Sequence, residues 1–313
     1  MLLMDVDTGV DDALAIMLAL HAPNREFVGV TTVSGNTSST QAAVNTRFLF
    51  EQICPRRLPQ IVTGAATALN GRTPTPVPEI HGSDGLGGIV PAGFKTADLQ
   101  AASGDAAARF IVDAARQHGE RLAIVATGPL TNLALALRLD RAALARAGVI
   151  AVMGGALFSA GNVTPYAEFN AYCDPEAFRE VMTSGPPIRL FPLDVTERVR
   201  LMADTLEQDL GISESKRNLI RSMSRVYMTF HARRDGFHGA YVHDAMPVAW
   251  LIEPDLFEFQ RGHVDVTLSG EQRRQTIWHE TPSGNIEAAF GVHESRFLDL
   301  FWSCLRREPS EQR

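Results

Sequence analysis

Short apolar runs alternate along the chain with stretches of helical period, and that alternation is the signature of a parallel α/β sheet. Residues 2–6, 27–33, 122–126, 149–153 and 188–193 read as strands. The last three are bounded by Gly, Pro or charge, and suit strands buried on both faces. Residues 12–21, 37–51, 105–118, 130–138 and 245–252 have helical spacing, with Ala13, Ile16, Met17 and Leu20 as the apolar stripe of the first. Residues 201–233 predict a long helical stretch broken near Gly211. Strands at 264–268, 276–278 and 286–289 and a helix at 294–305 predict a C-terminal strand–helix extension. Residues 69–94 are rich in Gly and Pro and read as a long functional loop rather than a linker. One domain spanning 1–313 is expected.

Composition narrows the function classes. Apolar residues at 45% and charged residues at 21% are ordinary for a globular chain of 313 residues, long enough to bury a sizeable core. The net charge of −7 argues against nucleic acid or an anionic membrane as the main partner, since both need a clustered basic footprint. No apolar run is long enough for a transmembrane helix. The opening MLLMDVDTG lacks the basic start and long apolar stretch of a signal peptide. Cys54, Cys173 and Cys304 are scattered and odd in number, which fits reduced thiols and a cytoplasmic protein. Met1 stands only four residues before Asp5, which points to a late start or a trimmed first strand.

The informative segment is the first. Asp5, Asp7, Asp11 and Asp12 crowd the point where a buried strand turns through Gly9 into a helix. In open α/β sheets, ligands bind in the crevice at the carboxyl ends of strands. Four carboxylates there repel one another, so some are protonated or a cation neutralises them. Oxygen ligands at this density suit Ca²⁺ or Mg²⁺ rather than Zn²⁺. One Asp alone would be read as a helix cap, but a helix start needs only one or two acids.

Other strand ends supply weaker candidates. Thr127-Gly128-Pro129-Leu130-Thr131-Asn132 reads first as a tight turn with Thr131 as N-cap, although Gly128 would free the backbone to offer a carbonyl to a metal. At His243-Asp244, a cap and a ligand role are evenly balanced for Asp244, and His243 could donate a proton near neutral pH. In the segment from Gly161 to Asn170, the residues Asn162, Glu168, Phe169 and Asn170 combine amides, an acid and an aromatic ring, as a sugar pocket would. Asp174-Pro175-Glu176 reads as a structural helix start. His81, in a Gly-rich loop running to Gly88, could belong to a lid.

Taken together these motifs resemble the inosine–uridine nucleoside hydrolase family. Asp5-Val6-Asp7-Thr8-Gly9-Val10-Asp11-Asp12-Ala13 is similar to that family's aspartate signature. Val33-Ser34-Gly35-Asn36, the His81 loop, Thr127 to Asn132, Met153-Gly154-Gly155, Gly161-Asn162, Ala167 to Asn170, Asp194-Val195-Thr196 and His243-Asp244 resemble its later motifs, in the family's order. Arg296-Phe297-Leu298-Asp299 has a weaker likeness. The resemblance implies a Rossmann-like fold, a mostly parallel central sheet flanked by helices, and hydrolysis of ribonucleosides to base and ribose with bound Ca²⁺. Carried over by motif, Asp7, Asp12, Asp244 and the Thr127 carbonyl would hold calcium. Asp11, Asn36, Met153, Asn162, Glu168 and Asn170 would grip the sugar, and Tyr227 and His231 are expected base contacts. Asp7 would act as general base and His243 would protonate the leaving base. A homodimer or homotetramer is expected. The chain departs from the family at Thr8, where Pro is usual, at Arg274, where Gly is common, and at His279, where Asp is common.

Two rivals remain. Asp5-Val6-Asp7-Thr8 also resembles the nucleophile loop of haloacid-dehalogenase-like phosphatases, with Asp5 phosphorylated, although no late acidic pair follows. A non-catalytic nucleoside-binding protein would need no water-activating acid, so Asp7, Asp12, Asp244 and His243 together argue against it.

Overall fold

The computed structural model describes residues 1–23, 26–53, 58–94, 99 and 105–309; Cys54 lies outside them. The amino-terminal half alternates strand and helix: β1 (Leu2–Val6), α1 (Val10–Leu20), β2 (Phe27–Thr32), α2 (Ser39–Ile53), β3 (Ile61–Thr63), the short α3 (Pro78–His81), α4 (Ala106–His118), β4 (Ala123–Ala126), α5 (Thr131–Leu144) and β5 (Val149–Met153). It continues through α6 (Phe169–Cys173), α7 (Pro175–Met182), β6 (Ile188–Phe191), α8 (Leu193–Thr196), β7 (Arg200–Met202), α9 (Glu214–Arg234), β8 (Gly239–Tyr241) and α10 (Ala245–Ile252). The remainder is β9 (Phe257–Val266), β10 (Thr276–Glu280), β11 (Ile286–Val292) and α11 (Glu294–Leu305).

A sheet of 9 strands, in the order β10-β9-β11-β6-β5-β4-β1-β2-β3, runs through the molecule. Every pairing from β11 to β3 is parallel, and β9 pairs antiparallel with both β10 and β11. The fold is therefore the expected mostly parallel sheet flanked by helices, with the strand–helix extension at its end. β7 and β8 form a separate antiparallel pair.

β1 shows how the sequence builds the two faces. Leu2, Met4 and Val6 join the apolar layer that includes residues of α1, α10 and α11. Leu3 points the other way, into the layer containing residues of α4, α5 and α7. Successive strand residues alternate in this way because the pleat has a period of two. Burying each such side chain contributes about 1.5–3 kcal/mol. Asp5, on the parity of Leu3, is an acid inside a fully buried strand, and Asp7 follows directly after the strand's end.

Several expected boundaries move. The stretch 201–233 is not one broken helix: β7 and a turn of 3₁₀ helix at Ala203–Glu207 precede α9. Residues 188–193 split into β6 and the start of α8, because Pro192 withholds a ladder N–H. α5 runs to Leu144 across a kink at Asp140, and β9 begins at Phe257, well before residue 264. The short strands β3 and β8 and helix α3 carry too little pattern to be read in advance. Thr131 is not a cap; its hydroxyl donates to Asp174 at 2.7 Å. Asp174 itself caps α7 through the Ala177 N–H, with Pro175 next, as expected.

The departures from the family pattern have local reasons. Thr8 shares a 2.7 Å hydrogen bond between its Oγ1 and that of Thr46, so the turn keeps a tether that a proline there would not make. Arg274 is the one non-glycine with positive φ, +77°, among the described residues. That conformation costs an L side chain about 1–2 kcal/mol. Its guanidinium lies 3.8 Å from the centroid of the Tyr172 ring, a cation–π contact that offsets part of the strain.

Candidate active site

The carboxyl ends of β1, β2, β4 and β5 converge on one cleft of about 580 Å³, open to solvent. From the turn after β1 comes Asp7 and, from the start of α1, Asp11 and Asp12; from the loop after β2 comes Asn36. Thr127 directly follows β4, and β5 ends at Met153. The loop after β5 and the start of α6 bring Asn162, Glu168, Phe169 and Asn170 to the wall. His243 and Asp244 stand just before α10, and α3 and α9 supply His81, Tyr227 and His231. All of the residues expected at the site line this cleft except Asp7 and Asp12, which lie fully buried at its floor.

Carboxyl oxygens of Asp11, Asp12 and Asp244 lie within 4.8 Å of one another. Asp244 stands at the N-cap position of α10, but its side chain makes no capping bond. Asp12 is held by the Gly9 N–H at 2.8 Å and the Thr127 hydroxyl at 2.6 Å. One Asp7 oxygen accepts the Asn36 N–H at 2.6 Å. The other, Oδ1, is buried and has no hydrogen-bond partner among the described residues. Gly35 and Gly128 flank this carboxylate. A Cβ at Gly35 would stand 2.0 Å from Asp7 Oδ2, and one at Gly128 would stand 3.0 Å from Oδ1. Only glycine lets the two loops close around Asp7.

Burial dominates the electrostatics. It raises Asp7 and Asp244 well above the usual carboxylate range, with neighbouring Asp charges adding to the effect. Asp11 is pushed up to about 8 by burial and by Asp12. These acids cannot all be ionised side by side without a cation. Three acids, an unpartnered carboxylate oxygen and the Thr127 carbonyl form a hard-oxygen donor set that fits a divalent ion of the calcium or magnesium type. The grouping includes Asp11, which was expected at the sugar. The Thr127 carbonyl accepts the Asn170 amide at 2.7 Å, and a carbonyl oxygen has a second lone pair.

Two further groups are built into the wall. Glu168 caps α6: its carboxylate accepts the N–H groups of Asn170, Ala171 and Gly155, which ties α6 to the end of β5. On the opposite side, His81 stacks on Tyr227 with centroids 5.2 Å apart, and His231 meets the Tyr227 ring edge-on. His81 Nδ1 accepts the Val10 N–H at 3.1 Å, and burial holds that imidazole at about 3, hence neutral. Burial, with His231 and Arg234 nearby, also lowers His243 to about 3.

Sequence reasoning missed Phe230 and Arg234, which also line the cleft. Positions 227, 230, 231 and 234 repeat at helical spacing, so the signal was one stripe of α9. It also missed Asn132, whose side chain bonds Asp5 at 2.8 Å, the Thr32 carbonyl and the Ala65 N–H. Asp5 is fully buried between Asn132 and Thr31, and burial raises it to about 7. A carboxylate so enclosed cannot serve as the exposed nucleophile of a phosphatase.

The sequence profile described as "Inosine-uridine preferring nucleoside hydrolase" matches residues 2–299. A probable uridine nucleosidase 1 from Oryza sativa subsp. japonica is 36% identical over 269 residues, covering 86% of this chain and 82% of that protein. The structure of a plant nucleoside hydrolase superposes with a TM-score of 0.90 at 29% identity, covering 97% of this chain and 98% of that one. A purine-preferring ribonucleoside hydrolase from Gardnerella vaginalis gives 0.89 at 30% identity with the same coverage. The fold, a mostly parallel sheet flanked by helices, is that of nucleoside hydrolases. The chain belongs to the inosine–uridine preferring nucleoside hydrolase family and is an enzyme, a nucleosidase.

Proposed function

We propose that this enzyme cleaves ribonucleosides to free base and ribose, with Ca²⁺ bound by Asp7, Asp12, Asp244 and the Thr127 carbonyl, with Asp11 at the same centre. The observation that carries this is the convergence of Asp11, Asp12 and Asp244 within 4.8 Å at the floor of the cleft, beside the unpartnered Oδ1 of Asp7. Calcium there would fix the ribose hydroxyls and make a bound water more acidic.

Asp7 takes a proton from water through Oδ1, and the hydroxyl adds to the anomeric carbon as the C–N bond breaks through an oxocarbenium-like transition state. The base leaves with the electron pair of that bond, a hydrogen bond from His243 bears the charge that builds on it, and the proton given up to Asp7 is returned to the base through solvent. Asn36, Met153, Asn162, Glu168 and Asn170 hold the sugar so that the anomeric carbon faces Asp7, which is catalysis by positioning. His81, Phe169, Tyr227 and His231 enclose the base. The catalytic unit is one domain over 1–313, cytoplasmic, assembled as a homodimer or homotetramer and serving nucleoside salvage. No helix among the described residues is long and apolar enough to cross a membrane.

The test incubates the protein with inosine, uridine, cytidine, adenosine and guanosine and measures free ribose, with Asp7→Ala alongside. Release by the wild type alone supports the assignment and ranks the bases. Calcium binding and tight nucleoside binding with no release from any substrate would favour a binding protein.

A further inference from the structure

Asp194-Val195-Thr196 forms α8 at the end of β6, and neither the metal centre nor the sugar wall uses it. Thr196 is fully buried, and its Oγ1 lies 2.8 Å from His243 Nδ1. The hydroxyl has no other hydrogen-bond partner among the described residues. A buried hydroxyl with that one partner keeps its own proton hydrogen-bonded only when it donates to the ring, and this favours Nδ1 as the acceptor. A neutral imidazole that accepts at Nδ1 carries its hydrogen on Nε2. That second nitrogen is left to the cleft, which His243 lines.

α8 is itself locked in place. Asp194 accepts the backbone N–H groups of Leu157 at 2.8 Å, Phe158 at 2.8 Å and Ser159 at 2.9 Å. The Leu193 N–H bonds the Gly155 carbonyl at 2.9 Å. The turn that holds the histidine is thus pinned to the loop leading to Asn162 on the sugar side. Two residues apart, Asp194 registers the sugar wall and Thr196 registers the leaving-group wall.

We propose that Thr196 is a positioning residue that fixes His243 in the Nε2–H tautomer, so that the ring presents a donor to the departing base. The inference rests on the nucleoside-hydrolysis reading above. Thr196 transfers nothing itself: its hydroxyl keeps its proton, and His243 Nε2–H stabilises the charge that builds on the base as the C–N pair leaves with it. Replacing Thr196 by Val keeps the shape but removes the donor, so the ring is free to flip or to change tautomer.

Thr196→Val, Thr196→Ala and Thr196→Ser would be assayed on the nucleoside that the wild type cleaves fastest and on 4-nitrophenyl riboside, whose leaving group needs no proton. The expected result is a kcat on the nucleoside lowered by about 10-fold or more in Val and Ala, within the about 10²–10⁴ that a whole proton donor supplies. KM changes little, the nitrophenyl substrate loses far less, and Ser restores the rate. ¹⁵N NMR of the imidazoles reads the tautomer without turnover: Nε2–H in the wild type and Ser, mixed or reversed in Val and Ala. Equal losses on both substrates, failure of Ser to restore the rate, or an Nδ1–H tautomer in the wild type would overturn the proposal. A wild type that shows Nε2–H but cleaves no nucleoside would sink the hydrolase reading and leave the tautomer assignment standing.

Discussion

Thr127 Oγ1 donates to Asp12 Oδ1 at 2.6 Å, joining the end of β4 to the first turn of α1 across the floor of the cleft. Both residues are almost wholly buried. The bond holds one oxygen of Asp12 while the Gly9 N–H holds the other.

Thr127→Val removes that donor and leaves a buried carboxylate oxygen without its partner. The expected cost is about 1–3 kcal/mol of stability. Chemical denaturation of wild type and variant in the presence of a chelator measures it. Weaker cation binding should accompany the loss, because Asp12 is then free to turn. An unchanged unfolding midpoint would show that the hydroxyl is not holding Asp12.

Gly35→Ala tests the packing around Asp7. The added methyl would stand 2.0 Å from Asp7 Oδ2, so the carboxylate or the loop must move. Activity should fall by about 10²-fold or more, the scale of losing a proton-transfer group. Gly71→Ala is the control for crowding: Gly71, unlike Gly35, sits at positive φ, +80°, and has nothing within 4 Å of its Cβ position. That variant should lose a little stability and keep its rate. Ribose release from both variants decides between the two outcomes.

The parallel sheet and the acid cluster were legible for physical reasons. Doubly buried strands are almost wholly apolar, so β1, β5 and their neighbours stand out, and four Asp residues at a strand end cannot be explained by capping alone. The converse holds for Thr131 and Glu168. Their types suit both a cap and a site, and only the fold shows that Thr131 goes to Asp174 and that Glu168 caps α6. The pairing of Thr196 with His243 spans 47 positions of sequence and has no local pattern. β3 and β8, with three residues each, are set by neighbours rather than by their own periodicity.

Removing divalent ions should make stability depend on pH with a definite sign. The folded-state pKa values of Asp5, about 7, and Asp11, about 8, lie above the ordinary carboxylate value. Such groups contribute stability that is fully present below about pH 4 and is lost as the pH rises through 7 to 8. His21 works in the other direction: burial lowers it to about 4, so its contribution is present above about pH 6.5 and lost on acidification through 4. A bound cation replaces the protons on the acids. The rise in Tm on adding calcium to chelated protein should therefore be larger at about pH 8.5 than at about pH 5. Equal shifts at the two pH values would mean that the buried acids are not where the ion binds.

Tyr227→Leu separates base recognition from chemistry. The Tyr227 ring lies parallel to His81 at 5.2 Å and edge-on to His231 at 4.6 Å, on the stripe of α9 that faces the cleft. Leucine keeps much of the apolar bulk and removes both ring contacts, at a cost of about 0.5–1.5 kcal/mol for each aromatic pair. If the ring packs against the nucleobase, the loss falls on binding, and KM should rise by about 10-fold while kcat changes less. The sugar anchors and the acids at the floor lie on other elements, so the chemical step is left to them. Steady-state kinetics on the preferred nucleoside and on ribosyl fluoride, which carries no base, provide the check: the KM effect should vanish with the fluoride. A fall in kcat with KM unchanged on both substrates would place Tyr227 in the chemistry instead, acting through His81 on the first turn of α1, where the Val10 N–H meets that ring.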